Sequence, residues 1–268
     1  MTDELQALSA ASRDIWNINA ATWDAYMGEG GSFQRVLIGP VTERLLNLQP
    51  DERVLDIACG NGAFSRRMAA LGARVVASDF SAKFIELAQA RTTEHADRIA
   101  YHVADATDEA QLLALGVAQS FDAAVCTMGI MDMPAIDPLF AAVTQLLKPR
   151  GRFVFSVMHP CFNNDDMRKF YEEEDRGGRL VVTQGVKITR YATMRTAKGL
   201  GIRMQPQPHD YFSRTLSTLF GAAFRAGFVV DALEEPTFPP PEGDEMSFGW
   251  SQFSEIPPVL IVRMKAER

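Results

Sequence analysis

Two hydrophobic rhythms alternate along the first 160 residues. Short apolar runs at 53–57, 73–78, 99–104, 121–127 and 151–158 read as buried strands. Between them, apolar residues three and four apart read as helices, as at 63–71, where Phe64, Met68 and Leu71 share a face. Ser81 is placed to cap a helix over 82–91, and further helices are expected over 109–115 and 138–147. Strands alternating with helices at this spacing predict a parallel sheet covered on both faces. Right-handed crossovers then bring all the strand C-terminal ends to one edge, where ligands bind in such sheets.

Outside this stretch the rhythm differs. Residues 12–27 have a helical stripe of Trp16, Ala20, Trp23 and Met27, which either packs on the domain or caps a ligand site with Trp23 or Tyr26 facing it. A Gly28-Glu29-Gly30-Gly31 loop follows, then a helical stretch over 33–48 with Pro40 opening its second half. After Met158 a polar stretch, 163–178, precedes 180–195, whose alternation leans toward strand; this reads as an inserted lid. A helix is expected over 211–226, stopped by Gly227, with strands at 228–233 and 259–264 and a proline-rich loop at 236–258 between them. One domain is expected: a helical cap (1–50), a core (51–160), a lid insert (161–210) and the rest of the core (211–268).

Composition narrows the function. With 268 residues, 47% hydrophobic and 23% charged, the chain has ordinary globular values. A net charge of −7 argues against a nucleic-acid partner, which needs a basic footprint. No basic and apolar leader opens the sequence, and no apolar run reaches the roughly 18–20 residues of a membrane span. Three cysteines without a C-x-x-C pattern suggest a reducing, cytoplasmic setting and no metal site. The expected assembly is a monomer or a homodimer without membrane attachment.

The candidate chemistry starts at Val54-Leu55-Asp56-Ile57-Ala58-Cys59-Gly60-Asn61-Gly62, a strand running into a glycine turn that allows close backbone approach to a ligand. Asp79 and Asp105 stand at the ends of the next two strands. An acid after the second strand suits ribose hydroxyls. Either a nicotinamide dinucleotide or S-adenosyl-L-methionine fits so far. The dinucleotide fingerprint wants a third glycine or alanine, and Ser65 stands there. The series Asp56-Ile57-Ala58-Cys59-Gly60-Asn61-Gly62, Val76-Ala77-Ser78-Asp79, Ala104-Asp105-Ala106, 121–125 and Leu146-Leu147-Lys148-Pro149-Arg150-Gly151 resembles, in order, the motifs of class I S-adenosylmethionine-dependent methyltransferases of the small-molecule branch. The resemblance implies a Rossmann-like α/β fold with a seven-stranded, mostly parallel sheet whose last strand is antiparallel. It implies S-adenosyl-L-methionine as cofactor. Ala58, Gly60 and Gly62 would line its methionine part, and Asp56 would order the loop and reach the ammonium through water. Asp79 would hold the ribose beside Phe80, Asp105 and Ala106 would meet the adenine edge, and Cys126, Thr127 and Met128 would lie beneath the sulfonium. Ala58 and Arg150 stand where the family often has glycine.

The resemblance implies methyl transfer to a small-molecule acceptor through an oxygen, nitrogen or carbon nucleophile. The alternatives are a non-catalytic S-adenosylmethionine-binding protein and a NAD-dependent dehydrogenase. Positioning supplies much of such catalysis, and a base is needed only if the acceptor must lose a proton. His159, directly after the fifth strand, is the expected base, against a purely structural hydrogen bond to the lid. Asp132 is the second candidate, against a turn-capping role. His209, Tyr211 and Arg214 are weaker pocket candidates, and the basic series Lys187, Arg190, Arg195 and Arg203 reads mainly as solvated surface. Cys59, Cys126 and Cys161 follow three neighbouring strands, so their thiols are expected near one mouth.

Overall fold

A computed structural model describes residues 3–241 and 249–267. The part of the proline-rich loop at 242–248 lies outside the described residues. Helix α1 (Asp3–Met27) leads through a short π-helical turn (Phe33–Ile38) into α2 (Gly39–Leu46), with Pro40 in its first turn. Then β1 (Arg53–Ile57), α3 (Ala63–Ala70), β2 (Arg74–Asp79), α4 (Ala82–Arg91), β3 (Ile99–Val103), α5 (Glu109–Leu113), β4 (Phe121–Thr127), α6 (Asp137–Leu146) and β5 (Leu147–Met158) alternate as the hydrophobic pattern predicts. Ser81 caps α4, its hydroxyl accepting from the Phe84 N–H at 3.2 Å.

Two hairpins form the insert: β6 (Arg168–Asp175) with β7 (Leu180–Lys187), and β8 (Thr196–Gly199) with β9 (His209–Phe212). Strand β6 falls inside the stretch read as merely polar. Its Glu172 to Asp175 end is exposed on both sides, so burial imposes no alternation. The helix expected from Tyr211 starts only at Leu216 (α7, Leu216–Arg225). Residues 209–212 pair with β8 instead, and Thr215 caps the helix through the Thr218 N–H. The chain closes with β10 (Phe228–Glu234) and β11 (Val259–Ala266).

The seven-stranded sheet has the order β3-β2-β1-β4-β5-β11-β10, with β11 antiparallel to both neighbours and the remaining strands parallel. Alternate residues feed two cores. Leu55, Ile57, Phe153 and Phe155 pack against α6 and α7, while Val54, Val75 and Val154 pack against α2 and α3. The strand order reverses between β1 and β4, which opens a crevice above their C-terminal ends. Helix α1 lies across α4 beside that crevice, with Trp16 and Ala20 buried. No helix among the described residues is long and apolar enough to cross a membrane.

Candidate functional site

A cavity of about 760 Å³ opens over the crevice, between the strand ends, α1 and the lid. Its floor is built by the loops after four strands: Ala58 to Asn61, Asp79 and Phe80, Ala104 to Thr107, and Thr127 to Gly129. The first turn depends on left-handed backbone at Ala58, Gly60 and Gly62, with φ of 55°, 54° and 74°. Ala58 adopts it without being glycine, a strain of order 1 kcal/mol that loops at functional sites tolerate. Met128, at φ 55°, repeats the device in the facing loop. The two loops touch: a Cβ added to Gly129 would lie 2.6 Å from that of Ala58.

Asp79 is buried at the cavity wall and accepts from two backbone N–H groups, Gly60 at 2.9 Å and Ser81 at 2.9 Å. Burial nevertheless raises its pKa to about 6, offset in part by those two bonds. Asp105 accepts from the Thr107 N–H and hydroxyl on one oxygen and from the Ser9 hydroxyl, at 2.6 Å, on the other. Both carboxylates line the cavity, as do Phe80, Ala58, Gly60, Ala106, Thr127 and Met128. Tyr26 lies at the rim, 62% exposed, with Trp23 deeper in the wall, so α1 both packs on the domain and caps the cavity. Asn61 ties the glycine turn to α1, donating to Asp24 at 3.0 Å and to the Gly28 carbonyl at 2.9 Å.

Several expected residues do not line the cavity. Asp56 does not line the cavity; it is buried behind the turn, where it accepts from the Ser65 hydroxyl at 2.5 Å and burial pushes its pKa up to about 7. Its place inside β1 turns the side chain toward α3. Gly62 also stands outside the lining, packed so closely on Tyr101 that an added Cβ would lie 2.5 Å from its hydroxyl. Cys126 is buried beneath Gly129, outside the cavity. The cysteines do not gather at one mouth: Cys59 lines the cavity, while Cys126 and Cys161 do not. Burial drives the Cys59 and Cys126 thiols well above their ordinary range, so neither offers a thiolate. His159 faces away from the cavity. Its Nε2–H donates to Glu235 at 2.7 Å and its Nδ1 accepts from the Cys161 N–H at 3.1 Å, so both ring nitrogens are spent. Lys187 pairs with Glu172 on the surface, whereas Arg190 is half-buried and pairs with the buried Asp165 and with Asp166, so it is not a solvated side chain.

Asp132 does face the cavity. It follows β4 in a short 3-10 turn, and its Oδ1 is buried without a hydrogen-bond partner among the described residues. Burial, reinforced by the negative charge of Asp79, raises its pKa well above the carboxylate range. His209, from β9, brings Nε2 to 3.8 Å from that oxygen. Burial holds the His209 ring neutral down to about pH 4. Arg214 donates to the carbonyls of Ile130 and Met133 on either side of Asp132, and so joins the lid to this turn. It acts on the turn from outside the cavity. Tyr211 and the rings of Trp16 and Trp23 complete an aromatic wall around His209.

Sequence reasoning passed over Ser9, Asn61, Thr107 and Gln205. Thr107 carried a local signal, since Asp two residues before a Thr N–H is an Asx-type turn. Ser9, 96 residues from Asp105, carried none.

The charged residues that line the cavity among those described are Asp79, Asp105 and Asp132 against one cation, Lys169. A cationic sulfonium fits this surplus of acids, whereas a dinucleotide pyrophosphate would add like charge to it. Acceptors at two strand ends beside the Phe80 ring also fit an adenosine.

Comparison with known proteins agrees with this geometry. Residues 54–151 match the family model of the methyltransferase domain. An ubiquinone biosynthesis O-methyltransferase of Xanthomonas axonopodis pv. citri is 35% identical over 107 residues, which cover 40% of this chain and 43% of the relative. The matched region thus spans less than half the length of that relative. Among solved structures, an S-adenosylmethionine dependent methyltransferase from Mesorhizobium loti superposes with a TM-score of 0.60 at 24% identity, over 84% of this chain and 96% of the other. The glycopeptide N-methyltransferase MtfA, bound to S-adenosyl-L-homocysteine, gives 0.54 at 18% identity, over 85% and 87%. At such identities these two likenesses establish the fold.

Proposed function

We propose that this chain, which carries a class I methyltransferase domain at residues 54–151, transfers the methyl group of S-adenosyl-L-methionine to a small-molecule acceptor held between α1, the Asp132 turn and the lid. The observation that carries this reading is the cavity itself. One half has the carboxylates and backbone turns that suit an adenosyl cation, and the adjoining half is aromatic and presents one unpartnered buried carboxylate oxygen.

When bound, S-adenosyl-L-methionine supplies a methyl group already activated on a sulfonium. The chain's residues have a smaller set of tasks. Asp79, held by two N–H groups, accepts from the ribose hydroxyls, and Asp105, Ala106 and Phe80 receive the adenine. Ala58 and Gly60 let the backbone approach the methionine part. Trp16, Trp23 and the lid residues Leu200 and Ile202 exclude water from the acceptor half. In its ionised form Asp132 Oδ1 takes the proton of the acceptor group, and its raised pKa makes that form a better base than an ordinary carboxylate. His159 has no part in this, since its ring is engaged with Glu235 outside the cavity. The named relatives divide between oxygen and nitrogen acceptors, so their names leave the acceptor atom open.

Calorimetry with S-adenosyl-L-methionine and turnover of methyl-labelled cofactor against a panel of small hydroxyl and amine compounds test the reading. Binding followed by labelled product is expected. Tight binding with no product across the panel would favour a non-catalytic binding protein, and no binding would sink both readings.

A further inference from the structure

Gln205, in the turn before β9, is buried, and its neighbours dictate which way round its amide sits. Its Oε1 receives the N–H groups of Gly201 at 2.9 Å, Ile202 at 3.2 Å and the Trp23 indole at 3.2 Å. An indole nitrogen and two backbone nitrogens are donors only, so the atom they converge on is the carbonyl oxygen. The amide nitrogen on the other side donates to the Gln207 carbonyl at 2.6 Å and meets Nδ1 of His209 at 3.0 Å. An amide NH2 has no lone pair to offer, so Nδ1 is the acceptor of that bond. A neutral ring then carries its proton on Nε2. Nε2 is the atom that stands 3.8 Å from the unpartnered Oδ1 of Asp132, and both residues line the cavity. A fixed donor therefore lies beside a carboxyl group that accepts in its ionised form, both in the acceptor half.

We propose that Gln205 is a positioning residue that fixes His209 as a hydrogen-bond donor, and that this donor beside the Asp132 carboxylate selects a hydroxyl as the methyl acceptor. The choice of hydroxyl rests on the methyl-transfer reading above; the tautomer does not. A hydroxyl oxygen has two lone pairs and one hydrogen. One lone pair accepts from His209 Nε2–H, and the hydrogen is donated to Asp132 Oδ1. The second lone pair forms the new O–C bond, the O–H proton passes to Asp132, and the electron pair of the broken S–CH3 bond stays with sulfur. A neutral amine has a single lone pair, which the new bond needs. His209 Nε2–H, on a buried ring, would then lose its partner as the bond forms, which is costly.

Imidazole nitrogen NMR on the full chain at neutral pH tests the first half. The chain has four histidines, and loss of one signal in His209→Phe assigns the ring. The native ring is expected in the Nε2–H form. Gln205→Glu keeps an oxygen for the three N–H donors but turns a carboxylate oxygen toward Nδ1, so His209 is expected to shift to the Nδ1–H or doubly protonated form. An Nδ1–H or mixed ring in the native chain overturns the assignment, whether or not the variant folds. For the second half, para-fluorophenol and para-fluoroaniline compete as methyl acceptors with S-adenosyl-L-methionine, and the methylated products are followed by fluorine NMR. The phenol is expected to be methylated about tenfold faster or more, as for a buried donor otherwise left unpaired in the transition state, with the preference lost in Gln205→Glu. Equal rates, preference for the aniline, or methylation of neither overturns the hydroxyl assignment. The methyl-transfer reading fails by a separate result, the absence of S-adenosyl-L-methionine binding to the native chain.

Discussion

Two histidines, one at the end of β5 and one in the lid, look alike by every local measure and differ in what surrounds them. His159 and His209 are 2% and 1% exposed, and burial lowers the pKa of both. Around His159 each polar atom is answered: Glu235 takes Nε2–H and the Cys161 N–H reaches Nδ1. Among the described residues, only Nδ1 of His209 is answered within hydrogen-bond distance, and Nε2 opens toward a cavity beside a carboxylate oxygen with no partner among them. A closed set of partners marks a structural side chain. An open one, left unpaired at a real cost in a buried place, marks a group awaiting a ligand.

The sharpest way to break this contrast is Asp132→Asn. An amide cannot take the acceptor's proton, so kcat is expected to fall by about 10²–10⁴-fold with cofactor affinity retained. Turnover at the native rate would remove Asp132 from the chemistry.

The next effect is on stability. Burial keeps His209 neutral down to about pH 4, whereas an unfolded ring titrates near 6.5. As pH falls through 6.5 the unfolded chain gains a proton that the folded one refuses, so this ring's contribution to stability is lost between about 6.5 and 4 and is level below. The loss is on the order of 3 kcal/mol. Asp56 and Asp79 act in the opposite sense, because their raised values, about 7 and about 6, make the folded chain hold protons the unfolded one releases. Their contribution is present below about 3.8 and is lost as pH rises toward 6 to 7. Denaturant titrations therefore need His209→Phe beside the native chain. The variant is expected to gain on the native chain between pH 6.5 and 4, and a pH-independent difference would count against the buried neutral ring.

His159→Ala provides the converse. It strips two hydrogen bonds from a buried place and is expected to cost roughly 1–3 kcal/mol of stability while leaving turnover per folded molecule unchanged. A specific loss of turnover in well-folded His159→Ala would return that residue to the site. The smallest expected effect is Asp79→Asn, which leaves one acceptor oxygen for Gly60 and Ser81 and places an NH2 against the other N–H. Cofactor affinity is expected to fall by about tenfold, measured by calorimetry. In the native chain affinity is expected to rise with pH through about 6, as Asp79 ionises and becomes a full acceptor.

Much of the core was legible because local rules and the global fold agree there. The strand and helix periods at 53–158 follow from burial on both faces of one sheet, and the turn after β1 follows from its glycines. The lid was less legible. Strand β6 is too exposed to alternate, and β9 is a strand only because β8 lies beside it. Within the site, Asp79, Phe80, Asp105 and Ala106 stood where strand ends place them, while Asp56 and Cys126 lie outside the cavity lining. Position at a strand end sets which edge a residue reaches, and the direction of its side chain is a separate matter.

The chain's own pattern of residues therefore determined the sheet, the edge where ligands bind, and the acids and turns that suit an adenosyl cation, since each depends on periods and neighbours within a few residues. Only the tertiary structure decided between the two histidines. His209 meets Asp132 across 77 residues of chain, and Trp23 meets Gln205 across 182, through contacts made by packing rather than by spacing. Burial and the completeness of hydrogen bonding are properties of the folded chain, and they are what separates a structural ring from a poised one.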